Sequence, residues 1–117
     1  MAWAGPYHTQ PIQKIFDMLY VNCASQAVLS RYYLEKWVNE RKGKKCAIIS
    51  YSSIAAQEPM GGVAEYGATK AFNDIFSRSM EVEYKQGKDV DLDVLTVYPA
   101  SVKSQMNSGR YTFTVSS

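Results

Sequence analysis

YGATK, at residues 66–70, is the segment around which this chain is best interpreted, because it places a tyrosine and a lysine four positions apart. On a helix, that spacing puts both side chains on one face, one turn apart. A free phenol is a poor acid or base near neutral pH, but an ammonium group held beside it favours the phenolate. Tyr66 and Lys70 are therefore a candidate proton-transfer pair, although such a pair also occurs by chance on many surface helices.

Three further motifs stand in a fixed order around this segment. Ser53 lies 13 residues before Tyr66 and ends an apolar run, CAIISYSS, at residues 46–53. Asn22 lies further upstream, in a stretch whose apolar residues recur with helical periodicity. Downstream of the pair, the apolar run LDVLTVY leads into PASVKSQM at residues 99–106.

With these four ordered motifs, the chain resembles the short-chain dehydrogenase/reductase family. The stretch YGATKAFNDIFSRSMEVEY at residues 66–84 is most similar to the branch of 17β-hydroxysteroid dehydrogenases and microsomal 3-oxoacyl-CoA reductases. The resemblance runs from residue 5 to residue 106 and covers most of the chain. Its motifs are specific for the family and carry little information about the substrate.

The resemblance implies a catalytic role for four residues. Tyr66 would give a proton to a ketone oxygen or take one from an alcohol, and Lys70 would favour its phenolate and contact the ribose of the nicotinamide cofactor. Ser53 would hydrogen-bond the same substrate oxygen, and Asn22 would support the water that returns the proton. The residues by themselves also allow a packing tyrosine, a turn or capping serine and a buried amide bonded to backbone.

The implied cofactor is NADP or NAD. Tyr66 and Lys70 would bind its nicotinamide half, together with Pro99, Val102 and Ser104, which match the family's loop at the nicotinamide end. The family prefers glycine after the proline, where this chain has alanine, and Ser104 keeps the hydroxyl of the family's threonine. The single histidine and the two cysteines show no metal-ligand spacing, so no metal site is expected.

The chain departs from the family at its start. Neither TGxxxGxG nor GxGxxG, the glycine-rich turns that receive a dinucleotide diphosphate, is present in the sequence. The family's Asn-Asn-Ala-Gly segment corresponds only to AWAG at residues 2–5. The chain therefore looks like the C-terminal half of a reductase, without the N-terminal dinucleotide-binding half, and its own affinity for the cofactor should be weak.

The expected fold is α/β, a partial Rossmann-like doubly wound parallel sheet of order β-α-β-α-β. The two helices are predicted at residues 12–41 and 64–85. The strands are predicted at residues 46–52 and 92–98, with the tail of another at 1–5. Residues 1–106 form one domain in this interpretation, and the Ser/Thr/Gly-rich residues 107–117 form a loop or disordered tail. The apolar face of the second helix is assigned to Ala68, Ala71, Phe72, Ile75, Phe76 and Met80.

This order of elements leaves one face of the sheet without a helix. Crossovers between parallel strands are nearly always right-handed, so both helices lie on the same face if the strands advance in one direction. The strand at residues 92–98 nevertheless has apolar residues on both faces. We therefore expect a missing N-terminal half, a partner protein or a rearranged tail to cover the second face.

The bulk composition is that of an ordinary globular protein. The chain has 117 residues, 46% of them hydrophobic and 21% charged, with a net charge of +2, which indicates no nucleic-acid partner. The basic cluster RKGKK at residues 41–45 is best explained as a solvated turn, in which Gly43 suits a helix end that needs a positive φ. No run of about 18 apolar residues predicts a membrane span.

Two observations bear on the compartment. Cys23 and Cys46 are expected to be reduced thiols, which fits an intracellular location. The first residues lack the pattern of a signal or transit peptide. The resemblance points to the endoplasmic reticulum and leaves mitochondria and the cytoplasm open.

Three functions remain open on the sequence. The first is an NAD(P)-dependent oxidoreductase, present as a fragment or truncated form, which acts on a small-molecule ketone or alcohol such as a steroid, or on an acyl thioester such as 3-oxoacyl-CoA. The second is a catalytically inactive remnant that serves as a structural subunit of a larger complex. The third is a binding module that uses the pocket without hydride chemistry. The four intact acid/base positions favour the first.

Overall fold

A computed structural model describes residues 3–100 of the chain, and these residues adopt an α/β fold. The first helical stretch consists of α1 (Ile12–Leu19), a π turn (Tyr20–Ala24) and α2 (Ser25–Glu40). It is followed by strand β1 (Lys45–Tyr51), helix α3 (Ala64–Tyr84) and strand β2 (Asp91–Val97). Single 3₁₀ turns at Tyr7–Thr9 and Ile54–Ala56 lie in the connecting loops.

The two strands pair in parallel, as predicted. Their register runs from Lys45 opposite Asp91 to Tyr51 opposite Val97. The strands predicted at 46–52 and 92–98 are confirmed to within one residue at each end, as is the helix predicted at 64–85. A parallel pair needs a crossover connection, and α3 supplies it.

The strand predicted at the start of the chain is wrong for the residues that the structure describes. Residues 3–5 have no strand conformation, and the sheet within residues 3–100 has two strands rather than three. Gly5 has a φ of +149°, and its N–H donates to the carbonyl of Gly62 at 2.8 Å. This hydrogen bond ties the start of the chain to the loop before α3 instead of to an edge of the sheet.

The single helix predicted for residues 12–41 is interrupted at the π turn Tyr20–Ala24. The helix ends at Glu40, and Gly43 beyond it has a φ of +72°, so the positive φ expected there is confirmed. The predicted loop and tail at residues 101–106 and 107–117 lie outside the described residues.

A small core lies between the helices and one face of the sheet. Its buried members are Leu34 from α2, Cys46 from β1, Met80 from α3, and Val90 and Leu92 at the start of β2. The opposite face of the sheet is open to solvent, as the exposed fractions of Ile49 (60%), Tyr51 (64%) and Leu95 (59%) show. Both helices therefore lie on one face, as predicted, and no element of residues 3–100 covers the other.

The inward face of α3 is polar from Thr69 to Ser77 and apolar beyond it, so the apolar face assigned to this helix is confirmed only in part. Its buried residues are Thr69, Asn73, Ser77 and Met80, at steps of four and three. Of the residues assigned to the apolar face, Met80 is buried and Phe76 packs against the core, whereas Ile75 is 57% exposed and Phe72 is 38% exposed. The polar side chains inside are accommodated because they hydrogen-bond one another and the neighbouring elements.

Candidate active site

Tyr66 and Lys70 lie on one face of the first turns of α3, as their spacing predicts. The Nζ of Lys70 is 5.8 Å from the centroid of the Tyr66 ring. Both side chains are partly buried. The ammonium group thus lies within reach of a cation–π contact with the Tyr66 ring.

The carboxyl end of β1 is fastened to this turn of α3. Lys70 Nζ donates to the carbonyl of Tyr51 at 3.1 Å, and the hydroxyl of Ser52 donates to the carbonyl of Lys70 at 2.7 Å. The N–H of Ser52 donates in turn to the carbonyl of Val97 at the end of β2. Ser52 is almost completely buried, at 1% exposure. Ser52 is not among the site residues predicted from the sequence, and only its position in an apolar run that ends beside the site could have indicated this role.

Ser53 begins a turn that packs closely against Gly67 of α3. A Cβ added at Gly67 would lie 2.8 Å from the carbonyl oxygen of Ala55, nearer than real Cβ atoms approach such an atom. The hydroxyl of Ser53, which is largely buried, accepts the N–H of Ala55 at 3.2 Å. The serine therefore caps its turn, and because Oγ accepts that bond, its O–H proton remains free to donate to a substrate oxygen.

Asn22 is held to α3 through both its side chain and its main chain. Its Nδ2 donates to Thr69 Oγ1 at 3.0 Å, and that hydroxyl donates to the carbonyl of Tyr66 at 2.8 Å. The carbonyl of Asn22 accepts from Asn73 Nδ2 at 2.5 Å. Asn22 and Lys70 line one open cleft of about 210 Å³ beside β1. The side chain is thus an amide bonded to another side chain, at the edge of a cleft that can admit water.

Of the three residues predicted at the nicotinamide end, Pro99 alone lies within the described residues. Its carbonyl accepts the N–H of Ile54 at 3.4 Å, so it lies beside the segment that carries Ser53. Val102 and Ser104 lie outside the described part of the chain.

Burial shapes the electrostatics of the site. Burial lowers the pKa of Lys70 from its usual value, and the negative charge of the Cys23 thiolate acts in the opposite direction. Burial raises the pKa of the Cys23 thiol, an effect that Lys70 opposes and Glu65 reinforces. Cys23 and Cys46 are both free thiols, as expected. Cys23 therefore belongs to the surroundings of Lys70, although sequence reasoning gave it no place there.

A smaller cavity lies on the other side of Tyr66. It has a volume of about 40 Å³, and Trp3, Gln10, Glu65 and Tyr66 are among the residues that line it. Gln10 donates to one carboxylate oxygen of Glu65. The other oxygen and the indole N–H of Trp3 are buried and have no hydrogen-bond partner among residues 3–100. The space suits a bridging water.

A network of buried amides and hydroxyls behind the site was also missed. Gln26 Nε2 donates to Ser77 Oγ at 2.7 Å and to Ser50 Oγ at 3.0 Å, and Asn73 donates to Gln26 Oε1. The signal in the sequence is the spacing of Thr69, Asn73 and Ser77, which places three polar residues on one stripe of α3.

The described part of the chain, residues 3–100, contains neither a membrane-spanning helix nor a metal-binding cluster. Within residues 3–100, no helix is both long and apolar enough to span a bilayer. The same residues hold no group of three or more histidine, cysteine or acidic side chains that could bind a metal ion.

The chain matches the family described as short chain dehydrogenase over residues 1–113, and it belongs to that family. It is 34% identical over 87 residues to the very-long-chain 3-oxoacyl-CoA reductase of Bos taurus, a match that covers 74% of this chain and 27% of the relative. It is also 34% identical over 79 residues to the inactive hydroxysteroid dehydrogenase-like protein 1 of Homo sapiens, with 67% and 23% covered. The chain therefore spans about a quarter of the length of these curated relatives.

The fold agrees with solved members of the family. The bulky-bulky ketone specific alcohol dehydrogenase from Comamonas testosteroni superposes with a TM-score of 0.73 and 27% sequence identity. The superposition covers 86% of this chain and 39% of that protein. The two-stranded α/β unit therefore matches part of the Rossmann fold of that protein.

The residues present suit one end of a nicotinamide dinucleotide. The ammonium of Lys70 can donate hydrogen bonds to ribose hydroxyls, and the hydroxyl of Tyr66 can donate to them or accept from them. Pro99 lies close to the segment that carries Ser53, because its carbonyl accepts the N–H of Ile54. No glycine-rich turn for the diphosphate occurs in the sequence. The described residues therefore offer donors for a ribose hydroxyl, and the sequence offers no cradle for a diphosphate.

Proposed function

We propose that this chain carries the acid/base half of an NAD(P)-dependent oxidoreductase that interconverts a ketone and an alcohol. Tyr66 donates its hydroxyl proton to the ketone oxygen, and Ser53 donates a hydrogen bond to the same oxygen. Lys70 stabilises the phenolate that remains, and Asn22 supports the water that returns the proton. The cofactor supplies the hydride.

One observation carries this proposal: the end of β1 is bonded to the turn of α3 that holds the tyrosine and lysine. Lys70 donates to Tyr51, Ser52 donates to Lys70, and Ala55 packs against Gly67. These contacts hold the Ser53 segment against the Tyr66 turn, as a shared substrate oxygen requires. Catalytic groups held by rigid elements in this way lose little orientation during the reaction.

The rest of the reductase must come from outside the described residues. We propose that a dinucleotide-binding half, on the same polypeptide or a partner chain, covers the open sheet face with Ile49, Tyr51 and Leu95. Parallel sheets are normally covered on both faces, and a two-stranded sheet is marginally stable alone. The same half would provide the diphosphate site that the sequence lacks.

The substrate is proposed to be a 3-oxoacyl thioester or a steroid, with NADP or NAD as cofactor. The bovine relative, 34% identical, bears the name very-long-chain 3-oxoacyl-CoA reductase, and a relative from Gallus gallus, 39% identical over 70 residues, bears the name hydroxysteroid dehydrogenase-like protein 1. We propose an intracellular location, first the endoplasmic reticulum and otherwise mitochondria or the cytoplasm. Fluorescence microscopy of the tagged gene product tests the location.

The test of function is reduction of 3-oxoacyl-CoA and of a ketosteroid, with NADPH and with NADH, by the gene product together with any chain that co-purifies with it. Tyr66→Phe removes the proton donor and keeps the ring, so it should lower kcat by about 10²–10⁴-fold. Tyr32→Phe, at an exposed position on α2, is the matched control and should leave kcat unchanged. Equal activity of the wild type and the Tyr66 variant would refute the assigned role.

The second candidate is an inactive remnant that serves as a structural subunit. It is favoured by the likeness to the human protein named inactive hydroxysteroid dehydrogenase-like protein 1. This candidate predicts no turnover with either cofactor and obligate association with other proteins through the open sheet face. Intact mass measurement of the native complex, combined with the activity assay, separates the two candidates.

A further inference from the structure

The π turn that carries Asn22 is held by side-chain donors. In an α-helix, a carbonyl accepts the backbone N–H four residues on, whereas a π turn shifts the pairing to the fifth residue. Within Tyr20–Ala24, the carbonyl of Val21 accepts the hydroxyl of Ser25, and the carbonyl of Asn22 accepts the amide of Asn73. The second of these donors comes from another helix, so the turn is fixed from outside its own segment.

The Asn73 amide is itself held in place. Its Nδ2 group donates to the carbonyl of Asn22 and to the Oε1 of Gln26. The amide nitrogen of Gln26 then donates to Ser50 on β1 and Ser77 on α3. Asn73 is 3% exposed and Ser77 is fully buried, whereas Gln26 is half-buried and lines the cleft beside β1. The chain of amides therefore links both helices and the sheet through directional bonds.

We propose that Asn73 and Gln26 are positioning residues, which select the π register of the turn and thereby fix the place of Asn22 in the site. If apolar side chains stood in place of Asn73 and Gln26, they would fill the same space whether the turn Tyr20–Ala24 were in the α or the π register. The amides are satisfied only when the carbonyl of Asn22 points at Asn73, and burying them unpaired is costly. The network thus favours one register over the other.

The register matters for the site because it sets the direction of the Asn22 side chain. Each residue of an α-helix turns the chain by about 100°, so a shift of one position would carry that side chain away from its present neighbours. In the π register, Asn22 donates to Thr69 and lines the same cleft as Lys70. The part of the proposal that concerns catalysis rests on the proposed function, whereas the register itself does not.

Hydrogen exchange of the full gene product tests the register. Asn73→Asp removes the donor and leaves the size of the side chain unchanged, and Asn39→Asp makes the same change at an exposed position of α2. We expect backbone amides of residues 20–26 to exchange about tenfold faster in the Asn73 variant alone. Equal exchange in the two variants and the wild type would overturn the proposal. If the Asn73 variant does not fold, Gln26→Met removes the acceptor for Asn73 instead. The exchange rates of residues 20–26 in that variant are then compared with those of the wild type and the Asn39 variant.

A kinetic cycle tests the effect on catalysis. In the reductase assay, Asn73→Asp should lower kcat and leave KM unchanged, and it should add little to the loss caused by Asn22→Ala, because both changes act through the same relay. A full additional loss in the Asn22→Ala background would refute positioning through Asn22. If the wild type shows no turnover, the proposed function fails, and the exchange measurement still decides whether the amides select the register.

Discussion

Gly67 tests whether the site depends on the close approach between the Ser53 segment and α3. The residue lies inside α3, where replacement of glycine by alanine normally raises helix stability by about 1 kcal/mol. Here an added Cβ would lie 2.8 Å from the carbonyl oxygen of Ala55. The atom that must move is backbone, so the neighbouring turn has to shift.

The magnitude follows from these two opposing effects. Forcing an extra methyl group into a packed region costs roughly 1–3 kcal/mol. After the gain in helix propensity of about 1 kcal/mol, Gly67→Ala should lower the free energy of unfolding by about 0–2 kcal/mol. Gly61→Ala is the matched control, because no atom lies within 4 Å of its added Cβ, and it should be neutral or raise stability by up to about 1 kcal/mol.

Urea denaturation of the wild type and both variants measures the two effects. The Gly67 variant should have a lower midpoint at an unchanged slope, whereas the Gly61 variant should have an equal or higher midpoint. In the active protein, Gly67→Ala should also reduce kcat, because the Ser53 segment moves away from Tyr66. A Gly67 variant that is more stable than the wild type by the full helix-propensity gain would show that the close approach is not a constraint.

Two further predictions follow from the charged groups. Lys70→Met removes the ammonium beside Tyr66 and its bond to the Tyr51 carbonyl, so it should lower kcat by about 10²-fold or more, which the reductase assay tests. The pKa of Asp74 is raised by burial but lowered overall by its bonds to Tyr98 and Arg78, so its contribution is present above the ordinary carboxyl pKa and is lost as pH falls through the lower folded value. Asp74→Asn should flatten the acid limb of the stability–pH curve, and Asp17→Asn, at an exposed position, should leave it unchanged.

The parts of the fold that the sequence predicts are those with strong local patterns. The two strands have apolar runs with clear ends, and Tyr66 and Lys70 are neighbours because helical geometry alone puts them together. The site residues Asn22 and Ser53 meet α3 through loops and turns, and the family resemblance, not periodicity, identified them. Their roles in catalysis stay predictions.

The parts that the sequence did not predict depend on contacts between distant segments. The π turn has no signature in the periodicity of residues 12–41, because its register depends in part on the amide of Asn73, 51 positions away from Asn22. The start of the chain was assigned to a strand because it is apolar, but Gly5 bonds to Gly62 instead. Local propensity is overridden by tertiary hydrogen bonds in both cases.

The apolar residues that α3 leaves exposed bear on how the chain is arranged in a larger protein. A helix at the edge of a self-sufficient domain turns its apolar face inward, yet α3 turns Thr69, Asn73 and Ser77 inward and leaves Ile75 exposed. Ile49 and Leu95 on the open sheet face follow the same pattern. Apolar surfaces on opposite sides of a polar seam are expected when further protein packs on both sides. The polar seam can then orient the catalytic turn, because the hydrophobic driving force for folding is supplied by the layers around it.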